Sequence, residues 1–132
     1  QESLPQLADD PGLCFDTAAV MNPDVHRFAL ETLGPERVVF GTDSPILFMR
    51  GRRRWEGRTY VNHTSYPFYF NKDREPPAVE AGYTLYLYES LRAIKQACRE
   101  LGLTRRQIES IFYDNARRLL GSTGSERLED QP

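Results

Sequence analysis

Val38-Val39-Phe40-Gly41-Thr42-Asp43-Ser44-Pro45 runs an uninterrupted apolar trio into a glycine, a hydroxyl, a carboxylate and a turn-making Ser-Pro. A short apolar run bounded by turn signals suits a strand buried on both faces, as in a parallel sheet. In α/β barrels and open α/β sheets, chemistry sits at the carboxyl ends of such strands. Here that end carries Asp43.

Working outward, Leu13-Cys14-Phe15 followed by Asp16-Thr17 repeats the pattern and predicts a second buried strand with a carboxylate at its end. A polar, turn-rich stretch from Gln1 to Gly12 leads into it as a loop. Between the two strands, Asn22-Pro23 opens a helix with Asn as N-cap, Pro at the first helical position and Asp24 in the first turn. Val25, Phe28, Ala29 and Leu33 form its apolar stripe, and Gly34-Pro35 ends it. Strand, helix and strand with short joints make a βαβ crossover, so the strands are expected to be parallel neighbours.

After Pro45 comes a long excursion, 46–80, longer than most connections in compact domains. It carries Arg50, Arg52, Arg53 and Arg54, then Trp55, Tyr60, Tyr66, Phe68, Tyr69 and Phe70. It is too aromatic for a flexible linker and reads as a lid or binding surface, with short strands expected at 58–61 and 67–70. From about Ala81 a long helix is predicted on the stripe Tyr83, Leu87, Leu91, Ile94, Cys98 and Leu101, with Gly102 ending it. Thr104-Arg105-Arg106-Gln107 is a capping box for a last helix burying Ile108, Ile111, Phe112, Asn115 and Leu119. Residues 122–132 read as a polar, frayed tail.

The chain has 132 residues, 39% hydrophobic and 27% charged, with net charge −2, which is the composition of an ordinary globular protein. Near-neutral charge gives no general reason to bind nucleic acid or an anionic membrane. No apolar run approaches a membrane span, and the first residues lack a secretory signal pattern. Cys14 and Cys98, without a CxxC pair, read as core thiols of a reducing compartment, so a cytoplasmic location is expected. The sequence lacks an initiator Met and is expected to be cut from something longer, because two strands leave a sheet with both edges bare.

The stretch Val38–Pro45, followed by Ile111-Phe112-Tyr113-Asp114-Asn115-Ala116-Arg117-Arg118-Leu119-Leu120-Gly121, resembles the end of the amidohydrolase-related branch of the amidohydrolase superfamily. In that family the last barrel strand is an apolar run ending in Gly-Thr-Asp. The closing helix ends in a Gly-Asn-Ala-x-x-Leu-Leu-Gly-like pattern, with Asp114 standing here where the Gly is usual. Leu13–Thr17 is similar to the seventh strand, and Pro35-Glu36-Arg37-Val38 to the approach to the eighth. The resemblance implies an α/β fold, the C-terminal portion of a (β/α)8 TIM-like barrel over residues 1–121, with 46–80 as a loop insertion. It implies metal-dependent hydrolysis of C–N or C–O bonds, or alternatively non-oxidative decarboxylation.

On the same resemblance Asp43 is the catalytic and metal-binding carboxylate. It would hold or neighbour a divalent ion, Zn²⁺ or Mn²⁺ with zinc preferred, and move a proton. The family's remaining ligands are histidines, a His-x-His and isolated ones, and they are missing from this chain. Activity would need the upstream polypeptide that completes the barrel as a partner, together with a small-molecule substrate; a homo-oligomer is compatible with the reading.

Candidate substrate-binding residues are Arg50, Arg52 and His63, which the excursion would hang over the site; arginines there can receive a carboxylate through paired hydrogen bonds. The ordinary reading of Arg50 to Arg54 is a solvated loop. His26, beside the apolar stripe, reads as a surface histidine. Asp16 is expected to make a structural hydrogen bond at the strand end, and Asn115 to satisfy backbone groups in the barrel wall. A rival of another class is a binding module that grips an acidic partner or single-stranded nucleic acid with the Arg/aromatic excursion.

Overall fold

In the computed structural model the described residues are 3–57, 59–65 and 74–121. Phe15–Asp16 (β1) and Val38–Val39 (β2) pair in parallel, Phe15 opposite Val38 and Asp16 opposite Val39. Pro23–Leu33 (α2) connects them, so the expected βαβ crossover is present. The Asn22 side chain accepts a hydrogen bond from the Asp24 N–H at 2.9 Å, with Pro23 supplying a pre-set φ.

The strands are shorter than the apolar trios. Phe40 leaves β2, and its N–H donates to the Ile111 carbonyl at 2.8 Å. The N-terminal stretch read as a loop contains a short helix, Leu4–Ala8 (α1), which packs against α2.

Tyr86–Glu100 (α4) is the long helix. It starts later than its sequence pattern suggests, because Pro77–Glu80 forms a separate turn of helix (α3) and residues 81–85 are extended or turning. The buried face is accordingly rotated to Tyr86, Ser90, Ala93, Ile94, Ala97 and Cys98, with Leu87 and Leu91 half-buried. Ile94, Ala97 and Cys98 of that face pack with Leu30 and Leu33 of α2. At its end the Leu103 N–H reaches the Cys98 carbonyl at 3.0 Å and the Gly102 N–H reaches that of Arg99 at 3.1 Å. This is the paired closure that a left-handed C′ glycine allows; Gly102 has φ +62°.

The last helix is broken into Arg105–Glu109 (α5), a wide π-helical turn at Ser110–Asp114, and Asn115–Leu119 (α6). The Thr104/Gln107 capping box forms as expected. In the wide turn the Asn115 N–H bonds to the Ser110 carbonyl. The Ile111 carbonyl is thereby released from the helix and takes the Phe40 N–H. Leu119, expected on the buried face, is 54% exposed, because α6 runs past the core. That core is Leu30, Leu33, Val38, Ile94, Ala97, Cys98 and Ile111.

Much of the described part of the excursion is regular. Gly51–Glu56 (β3) and Thr59–Thr64 (β4) form an antiparallel hairpin, so the arginine run read as a solvated loop is a strand. Of the expected 58–61 strand, 59–61 falls within β4. Arg58, the expected 67–70 strand and the 122–132 tail lie outside the described residues. The hairpin base is stitched to the start of α4: Gly51 N–H to Thr84 carbonyl at 3.0 Å, and Tyr86 N–H to Met49 carbonyl at 2.9 Å.

Candidate functional site

The parallel strands bring two polar ends together. The Thr17 hydroxyl accepts from the Gly41 N–H at 3.1 Å, and the Thr17 N–H donates to the Val39 carbonyl at 3.0 Å. Position 41 is tight: a Cβ there would lie 3.2 Å from Asp16 Cβ, so a larger residue would have to push the strand end aside by a few tenths of an ångström. Asp16 makes the expected structural bond, its Oδ1 accepting from the Ala18 N–H at 2.8 Å.

Two residues beyond Gly41, Asp43 sits at φ +52°, a left-handed conformation that Asp tolerates better than most residues but that still costs free energy. Its carbonyl accepts from the Ile46 N–H at 2.8 Å, which anchors the turn. Its side chain is exposed and has no hydrogen-bond or ion-pair partner among the described residues. The turn thus presents an exposed carboxylate, unpartnered among the described residues, just beyond the carboxyl end of a parallel strand.

The hairpin has two faces, set by its register. One carries Arg52, Arg54, Val61 and His63. There Glu75 accepts from Arg52 at 2.8 and 3.0 Å and from Arg54 at 3.4 Å. The Tyr83 hydroxyl also donates to Glu75. These bonds from Tyr83 and Arg52 hold the Glu75 carboxyl below its usual range. Burial, aided by Glu75, pushes the Tyr83 phenol up to about 12. His63 is only 3% exposed, and both ring nitrogens lack a partner among the described residues.

Arg50, at the hairpin base, donates to the carbonyls of Tyr83 (2.9 and 3.1 Å) and Ala81 (3.3 Å). Arg50 and Arg52 are therefore both engaged inside the chain. A cleft of about 340 Å³ opens beside Arg52, Tyr83 and Arg92; Glu89 in its wall is bound by Thr84 and by Arg92.

The other face carries Gly51, Arg53 and Trp55 opposite Thr64, Asn62 and Tyr60. Gly51 seats it: a Cβ there would lie 2.1 Å from the His63 carbonyl and 2.9 Å from the Tyr86 ring. Arg53 crosses from the hairpin to the loop after β1, donating to the Ala19 carbonyl. Its guanidinium lies over the Tyr86 ring, 5.4 Å from the centroid. This face therefore overhangs the end of β1. Arg53, Asn62 and Tyr60 were not distinguished by sequence reading. The available signal was the two-residue period of a strand, which would have separated Arg53 from Arg52 and Arg54.

His26 corrects its surface assignment. It is 3% exposed, and its Nε2 lies 3.1 Å from the Val20 carbonyl; burial holds its pKa below 6.5. It fixes the β1–α2 loop rather than meeting solvent. Asn115 does as expected, donating to the carbonyls of Pro35 at 2.7 Å and Val38 at 2.8 Å.

As a metal centre the donor set is incomplete. Among the described residues no group of three His, Cys, Asp or Glu is placed to hold an ion, and one carboxylate falls short of the usual three protein ligands. No helix among them is long and apolar enough to cross a membrane.

A parallel strand pair with polar residues beyond its carboxyl ends, and an antiparallel hairpin beside it, make this a mixed α/β protein. The family is given by sequence. The model described as Amidohydrolase matches residues 1–122, and the chain belongs to that family. Comparison with curated proteins and with solved structures gave no match.

Proposed function

We propose that this chain is the carboxyl-terminal part of a (β/α)8 amidohydrolase-type barrel, residues 1–121, whose activity is metal-dependent hydrolysis of a C–N or C–O bond. The observation that carries the reading is Asp43: an exposed carboxylate, unpartnered among the described residues, held at φ +52° just beyond the end of a parallel strand. Strain of that kind at a strand mouth, in a chain of this family, fits a residue kept for chemistry rather than for stability.

In this reading Asp43 takes and returns a proton during attack of water on the substrate, a role that suits a solvent-facing carboxylate in hydrogen-bond reach of the reacting group. The divalent ion the reading calls for, zinc by preference, would act as a Lewis acid. It would take Asp43 as one ligand and the others from polypeptide outside the described residues. The hairpin serves as the wall over the site. The same residues on the same fold also suit non-oxidative decarboxylation, with the aspartate acting at the substrate carbon.

Activity is to be measured in the full-length protein loaded with zinc, across amides, esters and carboxylic acids. Release of ammonia or alcohol, abolished in Asp43→Asn, supports hydrolysis. Release of CO₂ moves the reaction to decarboxylation. Full activity in Asp43→Asn would sink both.

A further inference from the structure

The ladder between β1 and β2 ends on a rung made by a side chain. In a regular parallel pair, a residue that donates its N–H to one carbonyl accepts, at its own carbonyl, from the N–H two residues further along the partner strand. The Thr17 N–H donates to the Val39 carbonyl at 3.0 Å, so the next rung belongs to the Thr17 carbonyl and the Gly41 N–H. The backbone does not make it. The Thr17 carbonyl accepts instead from the Val20 N–H at 3.0 Å, which turns the chain out of the strand. The Thr17 hydroxyl stands in for that carbonyl. It accepts from the Gly41 N–H at 3.1 Å and donates to the Gly41 carbonyl at 3.4 Å. Thr17 is 3% exposed, so this clamp is shielded from water, where losing a hydrogen bond costs most.

Two residues past the clamp, each chain takes a left-handed conformation: Ala19 at φ +60° and Asp43 at φ +52°. Among the described residues these are the two non-glycine positions with positive φ. Such a conformation persists only where the surroundings impose it. At Ala19 the hold comes from the Ala18 N–H on Asp16 and from Arg53 on the Ala19 carbonyl. At Asp43 it comes from the Thr17 clamp behind and from the Ile46 N–H, which bonds the Asp43 carbonyl, ahead.

We propose that Thr17 is the positioning residue for Asp43: by gripping both backbone groups of Gly41, its hydroxyl fixes where the carboxylate two residues on stands at the strand mouth. The proposal rests on the catalytic reading above for Asp43 being the reacting group, and it adds which side chain sets its place. Valine copies the shape of threonine without a donor or acceptor, whereas serine keeps both. A displacement of a reacting group by about 1 Å can cost on the order of 100-fold in rate.

The test uses the full-length protein with isotopically labelled aspartate. The three-bond coupling between the amide and α protons of Asp43 reports its φ directly and needs no substrate. Thr17→Val is expected to move that coupling off its wild-type value, and Thr17→Ser to keep it. With the amide, ester or carboxylic acid that the zinc-loaded protein turns over, Thr17→Val should lower kcat by about 10- to 100-fold at unchanged KM. Thr17→Ser should restore most of that loss.

A clamp serving stability alone would lower the urea midpoint of Thr17→Val and move neither the coupling nor kcat, which would overturn the proposal. Thr17→Ser as impaired as Thr17→Val would overturn it too. Should Thr17→Val fail to fold, Thr17→Ala is compared with Thr17→Ser by the same two readouts. Wild-type turnover in Asp43→Asn, or no turnover of any substrate, sinks the catalytic reading and leaves the coupling to decide whether Thr17 sets Asp43. An inactive Asp43→Asn beside a fully active Thr17→Val sinks the positioning role alone.

Discussion

The β1–α2–β2 unit and the β3–β4 hairpin solve the problem of buried polar groups in opposite ways. Around β2 the polar groups are paired. Asn115 takes the Pro35 and Val38 carbonyls, the widened helical turn gives its Ile111 carbonyl to Phe40, and Thr17 ties down Gly41. In the hairpin, Arg53 Nε, Tyr60 Oη, Asn62 Oδ1 and both nitrogens of His63 are buried without a partner; elsewhere among the described residues Ser90 alone shares that condition. Unsatisfied buried groups destabilise a fold. Their concentration in one element marks the hairpin as the part shaped for something other than stability, and the strand unit as the platform beneath it.

The largest expected effect tests where chemistry meets that platform. Asp43→Asn keeps a side chain that tolerates positive φ and removes only the charge and the proton-accepting oxygen. The turnover rate of the full-length enzyme should fall by about 10²- to 10⁴-fold, with an unchanged circular dichroism spectrum. An unchanged rate would leave the platform without a catalytic role.

Asn115→Leu removes the bonds its amide donates to the Pro35 and Val38 carbonyls, and the one it accepts from Arg118, and strands two carbonyls. Urea denaturation should report a loss of about 2–4 kcal/mol. A loss below about 0.5 kcal/mol would show that the pairing around β2 does not hold the unit together.

His26 sharpens the same point through pH. Its folded-state pKa lies below 6.5 because burial disfavours the charged ring. Below about pH 6.5 the unfolded chain takes up a proton that the folded chain resists. Stability contributed by the neutral ring is therefore complete above that pH and declines as pH falls toward the lowered folded value. Denaturation midpoints should drop between pH 7.5 and 5, and should drop less in His26→Gln. Parallel curves for the two proteins would refute burial as the cause.

The smallest expected change lies in the hairpin. Asn62→Leu replaces an unsatisfied polar side chain by an apolar one of similar size, so stability should shift by less than about 0.5 kcal/mol or rise slightly. Set beside Asn115→Leu, the same substitution should differ by about 2 kcal/mol or more between the two regions. Equal losses would erase the contrast.

Much of the platform was legible because its signals are local. Asn22-Pro23 fixes a helix start, Thr104 to Gln107 another, and apolar trios ending in Asp mark strand ends whatever surrounds them. The stripe beginning at Tyr83 misled by assuming one continuous helix, when Met49 and Thr84 tie the chain before Tyr86 to the hairpin base. His26 was misread because its burial comes from its own preceding loop bending back to present the Val20 carbonyl, which no helical stripe encodes. The four arginines were read together as loop charge, because only pairing across the strands distributes them to opposite faces.

By itself, the sequence determined the βαβ order, the caps, the position of Asp43 at a strand end and, through spaced motifs, the family. These depend on backbone propensity and short-range pattern, which neighbouring residues suffice to specify. Tertiary structure alone decided which arginines are neutralised and which is left facing the strand mouth. It also decided that a widened helical turn would hold β2 in place. Both depend on which groups from distant parts of the chain come within hydrogen-bonding distance, a property of the packed fold that no local run of residues carries.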